Sequence, residues 1–259
     1  MLKARVITAL FLVAGFLVVL FVLPRIAADW VFAGIAALGA WEWAGMMKYS
    51  PRGRVAFAAT LFLLCLLFWT NPQEGFPLLW GVSIVFWLVC VPVWFARRWH
   101  AACATIGLVV LLPTWAALVA LHERSPWLLL AVMALVWIAD IAAYFTGRAF
   151  GRHKLAPSIS PGKTWEGVAG AVVGVTLYGM AVAPLLPDVQ GVNRFALAGV
   201  MAVLTALSVI GDLFESLVKR QVGVKDSSQL LPGHGGILDR IDSQTSTLPL
   251  VALVLYWVK

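Results

Sequence analysis

Apolar positions along this chain come in long unbroken blocks, not in the three-and-four rhythm of a helix with one wet face. Nine blocks stand out, at residues 6–23, 27–47, 55–70, 77–96, 101–121, 127–150, 165–186, 195–217 and 243–258. Each approaches the roughly 20 residues that a helix needs to cross a hydrocarbon layer, and each is longer than the roughly 9–11 of a barrel strand. In lipid a backbone N–H or C=O must find its partner inside its own segment unless a closed barrel supplies one, so blocks of this length predict helices. The expected fold is all-α, a polytopic transmembrane helical bundle of about nine helices. Five spans fall in residues 1–125, and a more polar C-terminal transmembrane region occupies 126–259.

Charge orients this bundle. With the N-terminus placed inside, Lys3, Arg5, Lys48, Arg52, Arg54, Arg97, Arg98, Arg148, Arg152, Lys154, Lys163, Lys219, Arg220, Lys225 and Arg240 share one side. Only Arg25, Arg124, Arg194 and Lys259 lie opposite. The positive-inside rule makes the crowded side, and the N-terminus, cytoplasmic. The net charge of +7 then belongs to the cytoplasmic face, where it suits anionic head groups or phosphorylated ligands and not a nucleic-acid groove. With 62% of its residues hydrophobic and 12% charged, the chain has more apolar surface than a soluble fold hides. Lys3 and Arg5 ahead of the first block imitate a signal peptide, but an apolar run of about 18 residues is too long for one, so a retained helix is expected. Cys65, Cys90 and Cys103 have no paired spacing and read as packing residues.

The acidic residues divide by side. Asp29, Glu74, Glu123 and Asp188 are expected in the short outer loops, where water solvates them. The other eight, Glu42, Asp140, Glu166, Asp212, Glu215, Asp226, Asp239 and Asp242, sit in inner halves of helices or inner loops. An ionisable group within a span costs at least about 2.5 kcal/mol on insertion scales, so each raises the question of what it binds. Charges of both signs at one depth suit a site that holds metal ions and phosphates together.

Helical spacing places Asp212, Ser216, Lys219 and Arg220 within a narrow arc, at i, i+4, i+7 and i+8. At about 1.5 Å per residue this row runs about 12 Å, from a deep carboxylate to two shallow cations. The alternative for the cations is an interfacial helix end, with Glu215 paired to Lys219. The loop from Lys225 to Asp242 turns through Gly233, Gly235 and Gly236 into a helix bearing Asp239 and Asp242. Glycine-rich backbone leading into a helix start has the composition of a phosphate cradle. Asp239 and Asp242 can share one side with Asp212 and offer the hard oxygen ligands that Mg²⁺ takes.

The string Ser216-x-x-Lys219-Arg220-x4-Lys225-Asp226-x-Ser228-x3-Pro232-x-His234-Gly235-Gly236-x-x-Asp239-Arg240-x-Asp242 resembles the signature of the bacterial phosphatidate cytidylyltransferases, also called CDP-diacylglycerol synthases. The segments Asp140-x3-Tyr144-x2-Gly147-Arg148-x2-Gly151 and Ser160-Pro161-Gly162-Lys163-Thr164-Trp165-Glu166-Gly167 look like that family too. Gly162 stands where some members carry a second lysine. The likeness is dense in the C-terminal half, and the first five helices match only as generic apolar spans.

The resemblance implies that CTP and phosphatidic acid are joined to give CDP-diacylglycerol and pyrophosphate, by in-line attack of the lipid phosphate on the α-phosphorus. A phosphate monoester is already mostly dianionic, so the obstacle is repulsion between anions, which metal ions and cations relieve. Spacing and resemblance together assign Asp212 and Asp239 as leading Mg²⁺ ligands. Asp242 and Glu215 are candidates for an outer shell or a second cation, divalent or K⁺, and Asp140 is either metal-linked or the partner of a buried cation. Lys219, Arg220 and Arg240 are expected to bind phosphate oxygens with Ser216, Lys225, His234 and the Gly235-Gly236 backbone. Ser160, Lys163 and Thr164 would close the site. A homodimer, and a bacterial inner membrane with the site facing the cytoplasm, are likewise what the resemblance implies.

Gly162-Lys163-Thr164 also ends like a P-loop, but Pro157 replaces its first glycine and no βαβ context exists. His153 and His234 are too isolated for a zinc site, and Gly170 with Gly174 reads as a helix-packing pair. Two rival functions share the membrane setting. A CTP-dependent polyprenol or phytol kinase would need a general base for its alcohol acceptor. A transporter would show internal repeats and charges near the midplane, and neither is present in the sequence.

Overall fold

The computed structural model describes residues 2–97, 99–100 and 102–257, with side chains from Ile7 onward. The expected places of Arg98 and Lys259, the side chains of Lys3 and Arg5, and the block ends at Ala101 and Val258 lie outside the described residues. The chain forms α1 (Leu2–Phe21), α2 (Arg25–Met46), α3 (Pro51–Trp69), α4 (Pro72–Val85), α5 (Val91–Arg97), α6 (Ala104–Arg124), α7 (Pro126–Phe150), α8 (Trp165–Val182), α9 (Arg194–Val222) and α10 (Leu238–Trp257). A π-helical turn, Phe86–Cys90, joins α4 to α5 as one rod, so nine rods among the described residues answer to the nine apolar blocks. Six of them are long and apolar enough to cross a membrane by length and composition. The helices α2 and α10 are not among the six, and both bury polar side chains inside the bundle.

Helix starts follow local chemistry. Proline opens α3, α4 and α7, where a missing N–H leaves no bond unmade. Ser50 and Ser125 accept from the third residue beyond them. Gly223, at φ +79°, ends α9 in the left-handed conformation.

Interior prolines free carbonyls, and in lipid these need new partners. Pro249 has no N–H for the carbonyl of Thr245, which instead accepts from Trp87 Nε1 at 3.1 Å and Thr114 Oγ1 at 3.5 Å. Pro77 likewise frees Gln73, whose carbonyl accepts from Tyr256 Oη at 3.5 Å. These bonds tie α10 to the α4–α5 rod and to α6. Thus α10 lies at the centre of the bundle, packed against α9, α6, α4, α7 and α2. Its polar run from Ser243 to Thr247 is buried, and Ser246 Oγ donates to the Leu207 carbonyl on α9 at 2.7 Å.

A second core joins α7, α8 and α9 through Val136, Ala139, Ala171, Val175, Met201 and Leu204. Between α7 and α8 the backbones approach so closely that a Cβ on Gly170 would run into Thr146 and one on Gly174 into Ala142, so this glycine pair packs helices as expected. The linker between α7 and α8 departs from the all-helical expectation. It forms an antiparallel hairpin, β1 (Lys154–Ala156) with β2 (Ser160–Thr164). The hairpin's base is closed by Glu166, whose carboxylate accepts from His153 N at 3.2 Å and contacts His153 Nδ1 at 2.6 Å.

Polar contacts sort to the two ends of the bundle. One end carries Arg25 with Glu123 and Arg124 with Asp188. The other carries the hairpin, the start of α10 and the C-terminal end of α9. Asp29 corrects the expectation of water-solvated outer acids. It lies on the second turn of α2, is 5% exposed, and accepts from Trp69 Nε1 at 3.3 Å, because α3 folds back over it. Cys65 is buried, but Cys103 is exposed and does not serve the packing expected of it.

Candidate active site

The arc expected on α9 exists, and two other elements converge on it. Lys163, carried by β2, places Nζ 2.5 Å from Asp212 Oδ2, and Ser216 Oγ donates to Asp212 Oδ1 at 3.3 Å. Two turns further on, Lys219 Nζ lies 2.6 Å from Asp239 Oδ1 and 3.2 Å from Glu215 Oε2. Lys219 is only 9% exposed, so its cation is held between two carboxylates and does not snorkel. Arg220 is exposed and reaches toward the hairpin at the Ile159 carbonyl, 3.5 Å away.

Asp239 is saturated by the protein. Besides Lys219 on Oδ1, its Oδ2 accepts from Ser227 N at 2.9 Å, Ser227 Oγ at 3.0 Å and Gly236 N at 2.8 Å. Lys219, which pairs with Asp239, lies seven residues beyond Asp212 along α9, a rise of about 10 Å. The carboxylates in electrostatic reach of Asp212 are Asp140 on α7 and Asp242 on α10. Asp242 also faces Glu215, whose Oε1 is buried with no hydrogen-bond partner among the described residues. Asp140, Asp212, Glu215 and Asp242 thus form an acidic group, faced by Lys163 and Arg240 near Asp140 and by Lys219 near Glu215.

Beside this group the loop opens a cavity of about 560 Å³ lined by Lys225, Asp226, Gln229, His234, Gly235 and Arg240, among others. Leu231 bridges to Gly235 across the turn, and Gly233 and Gly235 adopt φ of +77° and +81°, which glycine permits at no steric cost. Thr8 Oγ1 on α1 donates to the Pro232 carbonyl at 3.3 Å.

Three expected substrate contacts have other partners here. The N–H of Gly236 donates to Asp239, so Gly236 serves as the close approach that a Cβ would block, since that atom would meet the Glu42 carboxylate. Thr164 Oγ1 accepts from Gly167 N at 3.1 Å and caps α8. Ser160 pairs with Ala156 across the hairpin.

Sequence reasoning left Glu42 and Ser227 without a role. Glu42, on α2, is fully buried. Its Oε1 accepts from Ser228 Oγ at 2.7 Å and Ile237 N at 2.9 Å, and its Oε2 from Ser227 Oγ at 3.1 Å and Leu238 N at 2.9 Å. The signal was an acid in the middle of an apolar block, flanked by Trp41 and Trp43.

The sequence matches the cytidylyltransferase family over residues 3–258. This chain belongs to the cytidylyltransferase family. A phosphatidate cytidylyltransferase of Pseudomonas aeruginosa is 42% identical over 99% of this chain and 97% of its own length. One of Haemophilus influenzae is 36% identical over the full length of both. One of Thermotoga maritima is 41% identical over 48% of this chain and 47% of its own.

Family chemistry raises the question of a divalent cation. Among the described residues no three His, Cys, Asp or Glu side chains close on a point as a metal cage would. Mg²⁺ does not require such a cage, because it is commonly held by one or two carboxylates together with substrate phosphates. The donor chemistry fits: the acidic group offers oxygen ligands only, and the buried Glu215 carboxylate faces the Asp242 carboxyl.

Proposed function

We propose that this chain joins CTP to phosphatidic acid, giving CDP-diacylglycerol and pyrophosphate, at the cytoplasmic face of a bacterial inner membrane. The observation that carries the reading is the meeting, at one end of a lipid-embedded bundle, of four carboxylates, the buried Lys219, the partly buried Lys163, the exposed Arg240 and a cavity of about 560 Å³. A cavity of that size lies in the roughly 300–1,000 Å³ range of small-molecule sites. The relatives that align over their full length are phosphatidate cytidylyltransferases.

In the proposed step a lipid phosphate oxygen forms a bond to the α-phosphorus of CTP as the bond to pyrophosphate breaks, and no proton needs to move. Lys225, His234 and Arg240 line the cavity and are assigned to the CTP phosphates. Lys219, Arg220 and Lys163 offset the charge of two anions brought together, with Ser160 beside them on the hairpin. Asp212 is the leading ligand for Mg²⁺, with Asp140, Asp242 and Glu215 beside it for the same ion or a second cation, divalent or K⁺. Asp239, expected from the sequence as the other leading ligand, has its oxygens taken by Lys219, Ser227 and Gly236 and is assigned to holding Lys219 and the loop. Bound there, Mg²⁺ would supply Lewis-acid charge to the phosphate oxygens. Ser216 holds the Asp212 carboxylate, and the Gly235-Gly236 backbone shapes the cavity wall. The division into N-terminal spans, 1–125, and a catalytic region, 126–259, and assembly as a homodimer belong to the same proposal.

Purified chain in detergent should release pyrophosphate only when CTP, phosphatidic acid and Mg²⁺ are all present. Chelation should abolish release and added Mg²⁺ restore it. Release without the lipid, or none with all three, contradicts the proposal.

A further inference from the structure

Glu42 is the one fully buried acid of the protein's described residues, and it lies on α2, far in sequence from every residue assigned above. Four donors converge on it, two hydroxyls from the loop and two backbone N–H groups from the start of α10. No Lys or Arg among the described residues pairs with it. A helix start leaves N–H groups without intrahelical partners and carries partial positive charge, so a buried carboxylate there is stabilised without a counter-ion.

The platform beneath Glu42 is fixed. Trp43 Nε1 donates to the Cys103 carbonyl at 3.1 Å. Arg54 stacks 3.4 Å above the Trp41 ring and donates to the Trp41 carbonyl at 3.2 Å. Glu42 is thus held on both sides on a helix that does not otherwise belong to the site. Ser228, one of its partners, also lines the cavity, and Ser227, another, bonds Asp239. A Cβ on Gly236 would come within 2.6 Å of both Glu42 carboxylate oxygens, so the glycine is matched to the acid.

We propose that Glu42 is a positioning residue for the nucleotide: it pins the loop of residues 227–238 and the start of α10 to α2, and so sets the shape of the cavity. This rests on the reading that the cavity takes CTP. Glu42 touches no substrate in this account. It acts through Ser228, Ser227 and the α10 backbone, as an outer layer of contacts acts on a preorganised site.

The test uses the full-length purified chain and Glu42→Gln, whose amide cannot accept from all four donors. The Michaelis constant for CTP should rise about tenfold, the loss expected for about one buried hydrogen bond, while that for phosphatidic acid stays within twofold. Without substrates, the amides of Ile237 and Leu238 should exchange with deuterium about tenfold faster than in the parent chain. A CTP constant within threefold of the parent, an equal rise for both substrates, or unchanged exchange overturns the proposal. Should Glu42→Gln not fold, Ser228→Ala, which removes one hydroxyl, should raise the CTP constant about threefold and leave the lipid constant unchanged; an unchanged CTP constant overturns the proposal equally. If the parent chain releases no pyrophosphate, the functional reading falls, and the exchange measurement still decides the part played by Glu42.

Discussion

Lys219 sits between Glu215 and Asp239, with nitrogen–oxygen distances of 3.2 Å and 2.6 Å. Removing one partner of a buried ion pair strands the other, at a cost of about 3–5 kcal/mol. Lys219→Ala should therefore lower thermal stability measurably in detergent as well as abolish pyrophosphate release. Full stability with lost activity would mean that the ammonium serves substrate alone. Asp29 provides the contrast. Asp29→Asn can keep the bond from Trp69 Nε1 and lies at the opposite end, so the rate should stay within about twofold; a large loss would extend the site beyond the hairpin end. Much at this scale was legible. The i, i+4 spacing of Glu215 and Lys219 pointed to their pairing, and the arc from Asp212 to Arg220 followed from helical geometry. Glu42's partners were not legible, because Ser227, Ser228, Ile237 and Leu238 lie some 185 to 196 residues away in sequence and no local pattern announces a contact of that range.

The elements followed from the apolar blocks, but their ends did not. Hydropathy stops near the water line while the helix continues: α9 extends to Val222 and α10 begins at Leu238, so Lys219, Arg220, Asp239, Arg240 and Asp242 lie on helix turns that the blocks excluded. The hairpin was missed because its strands have three and five residues and contain Pro161 and Gly162, which read as loop. That hairpin delivers Lys163 to Asp212, and its junction with α8 is capped by Thr164. Thr164→Ala should cost about 1 kcal/mol of stability, as for other helix caps, measured by thermal unfolding in detergent. It should lower activity through misplacement of Lys163. Unchanged stability would contradict the capping role.

For the molecule as a whole, the split of Lys and Arg between the two sides predicts which end faces the cytoplasm. Cys103 is exposed and Cys65 buried, so a membrane-impermeant maleimide should label Cys103 in inverted vesicles and not in intact spheroplasts; the reverse pattern would invert the bundle. Fold and family were legible from block length and from the motif between Ser216 and Asp242. The proposed reaction transfers a cytidylyl group to a lipid phosphate at the hairpin end of the bundle. CTP labelled at the α-phosphorus or at the γ-phosphorus, supplied with phosphatidic acid and Mg²⁺, tests it most directly. The account predicts α-label in the lipid product and γ-label in pyrophosphate. γ-Label in the lipid would make the chain a kinase, and label in neither product would contradict the account.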